Sequence, residues 1–289
     1  MGGRASATPL DAVAELQAMV KPLKARVGLE AVMLDTGDSI SLGGGVPYPM
    51  HSVVKFPLAL SVLDRVDRGL LALDGKIRVT PEQLTPGTWS PLRDKFPKGG
   101  DFTLRELLRF SMQESDNHAC DILFGLVGGP AAVQKDLERW GIKDISVKFT
   151  EAGMAADWNA QYANSARPSA MNALLKAFDE GKVLKEESRK VLWDMMASCT
   201  TGGGRLKGLL PGTWTVAHKT GTGGSRGVIA VSAVNDAGII VLPDGRKMAL
   251  TVFVMDSADP APACERTIAS LAHWLCTAWF GHLSGRDSV

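Results

Sequence analysis

Two long apolar runs near the C-terminus constrain the fold of this chain most. Residues 226–235 carry Val228, Ile229, Ala230, Val231, Ala233 and Val234 with hardly a polar break, and MALTVFVM repeats the pattern over 248–255. A strand with one wet face alternates polar and apolar residues, so an unbroken run predicts a strand covered on both faces. Strands are expected at 226–235 and 247–256, and Asp244-Gly245 between them predicts a tight turn and antiparallel pairing. A further strand is expected at 213–220. Residues 29–35 and 39–43 read as two more, joined at Thr36-Gly37-Asp38, and KIRVT at 76–80 reads as a short one.

Helical periodicity brackets these strands. Leu10, Val13, Leu16, Met19, Val20 and Leu23 share one face over 9–24, with Pro22 kinking the end. Leu271, Leu275 and Trp279 do the same over 260–280. Between the strand groups, helices are expected from Ser52 to near Gly69 and from a capping box at Thr103 and Glu106. Others are expected at 118–127, at 130–139 opened by Pro130 and closed at Gly141, at 167–179 opened by Pro168, and at 184–198. Residues 82–101 read as a Pro- and Gly-rich loop, and 145–166 as a long segment of weak periodicity. The fold class is α+β: a five-stranded antiparallel sheet flanked by the N- and C-terminal helices, with an all-helical domain inserted. The expected division is 1–50 with 209–289 as the α/β domain, and 51–208 as the all-α domain.

Composition excludes several classes. A net charge of +1 implies no pull toward nucleic acid. No apolar run approaches the ~20 residues of a membrane span. Cys120, Cys199, Cys264 and Cys276 form no C-x-x-C, and no H-E-x-x-H is present, so no metal site and no cofactor are expected. Four cysteines allow three complete pairings. Cys120 and Cys276 lie in apolar helical patterns and read as buried thiols, and no bridge is expected to be needed for the fold.

The chemistry sits in three short motifs. Ser52-Val53-Val54-Lys55 puts a hydroxyl and an amine one helical turn apart, and an amine in a dry site can lose its proton and serve as a base. Ser115-Asp116-Asn117 and Lys219-Thr220-Gly221 follow in that order. Each triplet is weak alone; the ordered set resembles the class A serine β-lactamases. The resemblance runs from about residue 10 to the C-terminus. TWSPLRDKFPKG and GLLPGTWTVAHKTGTGG place it nearest the extended-spectrum cephalosporinase branch.

That resemblance implies an active site between the two domains and an acyl-enzyme route for opening penicillins and cephalosporins. Ser52 would be the nucleophile. Lys55 and Glu151 would share the base work, Glu151 being singled out by its place 36 positions after Ser115. Ser115 would relay a proton to the leaving nitrogen. Asn117 would bind the substrate's side-chain amide, and Trp89 would wall the rim. Lys219, Thr220, Gly221 and Thr222 would bind on the carboxylate side, with the N–H groups of Ser52 and Thr222 as the oxyanion hole. Arg205 falls where some branches place the carboxylate-binding arginine, and Arg226 is the second candidate. The partner is a small-molecule β-lactam; a monomer and a periplasmic or secreted location are implied. No signal peptide is visible, and Met1 to Gly3 would stand in place of a removed leader.

The sequence departs from the family pattern in the stretch around Glu151. Ala155 stands where an asparagine usually helps hold the deacylating water. Phe149 and Asn164 stand where an arginine–aspartate pair usually staples the loop, so the loop must be held differently. His51 removes the cysteine that some relatives bridge beside the nucleophile. Two competing readings share the fold: a D,D-peptidase or penicillin-binding enzyme that barely deacylates, and a non-catalytic β-lactam receptor domain.

Overall fold

The computed structural model describes residues 9–279. Its centre is an antiparallel sheet of β1 (Arg26–Met33), β2 (Ser39–Leu42), β3 (Val216–Thr222), β4 (Val231–Val241) and β5 (Lys247–Ser257), in the order β2-β1-β5-β4-β3. β4 and β5 form the expected hairpin. Lys247 pairs with Val241, and Gly245 takes φ +88° in the turn. Only a glycine adopts that conformation at no steric cost.

Both faces of the sheet are covered, which is why its central strands lack polar alternation. Met248, Leu250, Val252 and Val254 face α1 (Pro9–Val20) and the C-terminal helix Ala261–Trp274, packing with Leu16, Ile268 and Leu271. Ala249, Phe253 and Met255 point the other way, into the core of the helical layer. The central helix of that layer, α2 (Lys55–Asp67), is buried at every position from Lys55 to Asp64. An all-round buried helix is apolar on all sides, and here the exceptions are Lys55, Ser61 and Asp64. Helices Leu104–Gln113, Asn117–Val127, Pro130–Arg139, Pro168–Asp179 and Glu186–Ala197 surround it. The Thr103–Glu106 capping box forms as expected.

Several boundaries differ from expectation. The strand expected at 226–235 begins only at Val231. Gly227 takes φ +58°, Arg226 and Ile229 close a tight loop on each other, and Val228 is 90% exposed. β3 starts at Val216, because Trp214 N–H turns back onto the Pro211 carbonyl. The Ser52 helix is preceded by a 3₁₀ turn, His51–Val54, and is α-helical from Lys55. The segment 145–166 contains the helix α3 (Glu151–Ala156), a 3₁₀ turn Trp158–Tyr162 and two short strands. The loop 82–101 holds the short helix Pro91–Lys95, and Gly100–Thr103 pairs with Lys76–Val79. The C-terminal helix passes into a π turn at Leu275–Trp279, and its expected last residue lies outside the described residues, as do Met1 to Gly3. All four cysteines are buried and free. Among the described residues no helix is long and apolar enough to cross a membrane.

Candidate active site

Ser52 sits in the 3₁₀ turn at the N-terminus of α2. The turn closes through Val53 N–H to the Met50 carbonyl at 3.1 Å. Asn235 on β4 fixes its approach, its amide donating to the carbonyls of Pro49 (2.6 Å) and Met50 (3.2 Å). His51 is held at φ +46°, a conformation costing about 1–3 kcal/mol that persists where surroundings impose it.

Lys55 is fully buried one turn along. Its ammonium donates to Ser52 Oγ (2.7 Å), the Ser115 carbonyl (2.9 Å) and Asn117 Oδ1 (2.6 Å), and pairs with Glu151 Oε1 at 2.9 Å. An ammonium has only three N–H donors, so these acceptors compete for them. Ser52 Oγ also lies 3.3 Å from Glu151 Oε1. One hydroxyl therefore touches both an amine and a carboxylate.

Glu151 opens α3. Burial pushes its carboxyl up, but the Lys55 ammonium outweighs this, helped by His51 and Lys219, and the net value lies below the usual carboxylate range. The group is ionised at neutral pH and can accept a proton. Asp121 caps its helix from Asn117–Val127, accepting the N–H groups of Glu151 (2.7 Å) and Ala152 (2.9 Å). Thr150 accepts from Gly153 N–H.

Ser115 takes φ +58°, and its hydroxyl accepts from Lys219 Nζ at 2.9 Å. Buried Asp116 fixes this turn by accepting from Ser90 Oγ and from the N–H groups of Leu92 and Ala119. Lys219 is fully buried. That burial, with repulsion from Lys55, brings its ammonium down to about 8. Asn117 donates its amide to Thr88 Oγ1 at 2.7 Å. Trp89, 61% exposed, stands at the rim and donates its indole N–H to the Glu114 carbonyl.

β3 is the edge strand beside this group. Gly223 N–H points to β4, bonding Ala233 O at 2.8 Å. Successive N–H groups of a strand alternate sides, so Thr222 N–H points away from β4 and toward the cleft. Gly221 lets β3 lie against the Ser52 turn: a Cβ there would stand 2.3 Å from the Met50 carbonyl and 3.2 Å from Ser52 N. Arg205 is buried behind Thr222, donating to Thr222 Oγ1 (2.7 Å), the carbonyls of Gly221 and Asn235, and Glu265. Protein groups thus take all but one of its N–H donors. Arg226 lies elsewhere, over the Trp158 ring. The resulting cleft, of about 270 Å³, is lined by Ser52, Trp89, Ser115, Asn117, Glu151, Thr201, Arg205, Thr220 and Thr222 among others.

The loop carrying Glu151 is held by bonds that spacing did not reveal. Asn164 accepts from Lys148 and Phe149 N–H and donates to the Phe149 carbonyl. Gln161 accepts from Ser232 Oγ at 2.6 Å, and Tyr162 donates to Asp256 at 2.6 Å. Asp121 and Asn235 lie in no motif that marks them in the sequence, and Asn164 is marked there only as a departure from the usual staple. The available sign for Asp121 was a carboxylate one turn after Asn117 in an otherwise apolar helix.

The chain is similar to known proteins both in sequence and in fold. The family model described as "Beta-lactamase enzyme family" matches residues 11–279. The chain is 41% identical over 260 residues to β-lactamase VEB-1 of Pseudomonas aeruginosa, covering 89% of this chain and 87% of that one. It is 40% identical over 260 residues to extended-spectrum β-lactamase PER-1 of the same species, covering 89% and 84%. A crystal structure of a β-lactamase from Chitinophaga pinensis superposes with a TM-score of 0.90 at 41% identity, covering 92% of this chain and 98% of that one. The TLA-3 extended-spectrum β-lactamase gives 0.91 at 37% identity, covering 96% and 99%.

Proposed function

The chain belongs to the β-lactamase enzyme family and is a class A β-lactamase; on that premise we propose that it opens penicillins and cephalosporins through an acyl-enzyme on Ser52. The observation carrying this reading is the single Ser52 hydroxyl set between the Lys55 ammonium and the Glu151 carboxylate.

In acylation, Ser52 Oγ attacks the lactam carbonyl as its proton passes to Glu151, or to a Lys55 amine that has first handed one of its own protons to Glu151. The developing oxyanion is met by the Ser52 and Thr222 N–H groups. Ser115, bridged to Lys219 and 3.5 Å from Lys55 Nζ, hands a proton to the leaving nitrogen. In deacylation Glu151 takes the proton of the attacking water. Lys219, Thr220, Thr222 and Arg205 receive the substrate carboxylate, Gly221 brings their strand close, Asn117 meets the side-chain amide, and Trp89 walls the rim. The division into 1–50 with 209–289 and 51–208 belongs to the same reading, as do a monomeric state, a periplasmic or secreted location and a part in antibiotic resistance.

Steady-state nitrocefin turnover tests it. Wild type should turn over many equivalents, and Ser52→Ala should lose both turnover and the penicillin adduct seen by intact-protein mass spectrometry. One acylation followed by arrest would point instead to a penicillin-binding enzyme or receptor domain. An adduct persisting on Ser52→Ala would place the nucleophile elsewhere.

A further inference from the structure

Arg226 has no part in the mechanism above, and the structure sets it beyond the C-terminal end of β3. Past Thr222 the edge strand continues as two glycines. Gly223 N–H bonds the Ala233 carbonyl and Ser232 N–H bonds the Gly224 carbonyl, both at 2.8 Å. The chain then turns on Gly227, at φ +58°, with Arg226 and Ile229 exchanging both backbone hydrogen bonds at 3.0 Å. Arg226 is exposed, and its guanidinium lies over the Trp158 ring, 5.6 Å from the centroid.

Trp158 is a fixed platform. It stands seven positions after Glu151. Its carbonyl accepts from Gln161 Nε2 at 2.7 Å, and Gln161 Oε1 accepts from Ser232 Oγ at 2.6 Å, so the turn carrying the ring is tied to β4. The ring lies against Gly224, where a Cβ would stand 3.6 Å from it. A stacked guanidinium gives its face to the ring and keeps its N–H edge for an acceptor. Among the described residues no carboxylate pairs with Arg226 and no acceptor takes its side-chain N–H groups. Asp157, beside Trp158 in the chain, is turned onto Asn159 N–H at 3.2 Å. Arg205 is the contrast: it is buried, with protein groups on all but one of its donors.

We propose that Arg226, held on Trp158, is a specificity-determining residue that pairs with a carboxylate carried on the acyl side chain of a β-lactam. The proposal rests on the function proposed above and names a substrate class for the same site. The register of a bound ring carries it. Along a penicillin or cephalosporin the order is ring carboxylate, lactam nitrogen, lactam carbonyl, then the carbon bearing the acylamino side chain. With the ring carboxylate at Thr220 and the carbonyl at Thr222 N–H, the side chain follows β3 onward, past Gly223 and Gly224. A strand advances about 3.3 Å per residue, so Gly224 lies roughly 7 Å beyond Thr222. A carboxyl group on the first carbon of the acyl chain is five bonds from the lactam carbonyl, about 6 Å when extended. No side chain at 223 or 224 stands in between, and the arginine reaches back from the turn. Its planar fork matches a carboxylate. Exposure keeps the pairing on the scale of one surface ion pair.

Benzylpenicillin and its α-carboxy derivative, carbenicillin, differ only by this carboxylate. The readout is the ratio of their kcat/KM values, carbenicillin over benzylpenicillin, within one protein. Arg226→Gln should lower that ratio about fivefold, and Arg226→Lys, which keeps the charge, should recover part of it. Trp158→Leu removes the platform but leaves the backbone carbonyl that Gln161 uses, and should lower the ratio too. Raising sodium chloride from about 0.05 M to about 0.5 M should lower the wild-type ratio and change that of Arg226→Gln far less, because an exposed pair is screened. If turnover stops after one equivalent, the same ratio is read from acylation rates by intact-protein mass spectrometry. A ratio unmoved by either substitution, or a wild-type ratio indifferent to salt, would overturn this proposal and leave the hydrolase reading standing. Failure of both penicillins to acylate Ser52 in wild type would overturn the two together.

Discussion

At the scale of single residues, the site depends on two lysines whose partners divide their roles. Lys55 contacts Ser52 and Glu151 at once, whereas Lys219 contacts Ser115 and the Thr220 carbonyl. Burial leaves the Lys219 ammonium charged below about 8 and neutral above it. The pH profile of kcat/KM reports groups of the free enzyme. It should therefore fall on the alkaline side near 8, and Lys219→Arg, which cannot deprotonate, should move that limb to higher pH. On the acid side Glu151 sits below its ordinary 4.5, so activity should persist until below that value. Gly221 allows a sharper test. An added methyl would meet backbone, not a flexible side chain, 2.3 Å away. Gly221→Ala should displace Thr222 N–H and lower kcat by about 10²-fold or more, the cost of losing one oxyanion donor. Near-normal kinetics would mean that Thr222 is not such a donor.

At the scale of elements, α3 is the part with least support of its own. It has six residues and depends on Asp121 and Thr150 for its first N–H groups. Asp121→Ala removes a cap worth ~1 kcal/mol. The melting temperature should drop by about 2–4 °C, and kcat should fall more than KM rises, because Glu151 loses its position and not the substrate its binding site. A melt shift with unchanged kcat would make Asp121 purely structural. The same element marks where sequence reading stopped. Ser52, Lys55, Ser115 and Lys219 could be read because their chemistry demands fixed types in short motifs, and the structure brings them within hydrogen-bond reach. Asp121 lies 30 residues from the N–H groups it caps, and no local periodicity records such a distance. Likewise Val228, Ile229 and Ala230 look like strand by composition, but Gly227 turns the backbone and leaves Val228 in solvent.

At the scale of the whole molecule, the hairpin β4–β5 could be read early because a sheet covered on both faces leaves unbroken apolar runs. The strand order, with β3 at the edge beside the helical layer, could not, since pairing partners leave no local trace. Cys120 is buried in one core and Cys264 and Cys276 in the other, all as free thiols, so no disulfide joins these layers. Melts with and without reductant should coincide; a bridge would be worth about 2–4 kcal/mol and would separate them. Where β3 lies against the helical layer, Ser52 of the turn before α2 touches Glu151 of α3, and the account's central claim is that this contact runs a two-step acyl transfer. Glu151→Gln keeps the shape and removes the basicity. Mixed with nitrocefin or benzylpenicillin, it should give a burst of about one equivalent, a stable Ser52 adduct by mass spectrometry, and very slow turnover thereafter. A post-burst rate equal to wild type would contradict the account and place the deacylating base elsewhere.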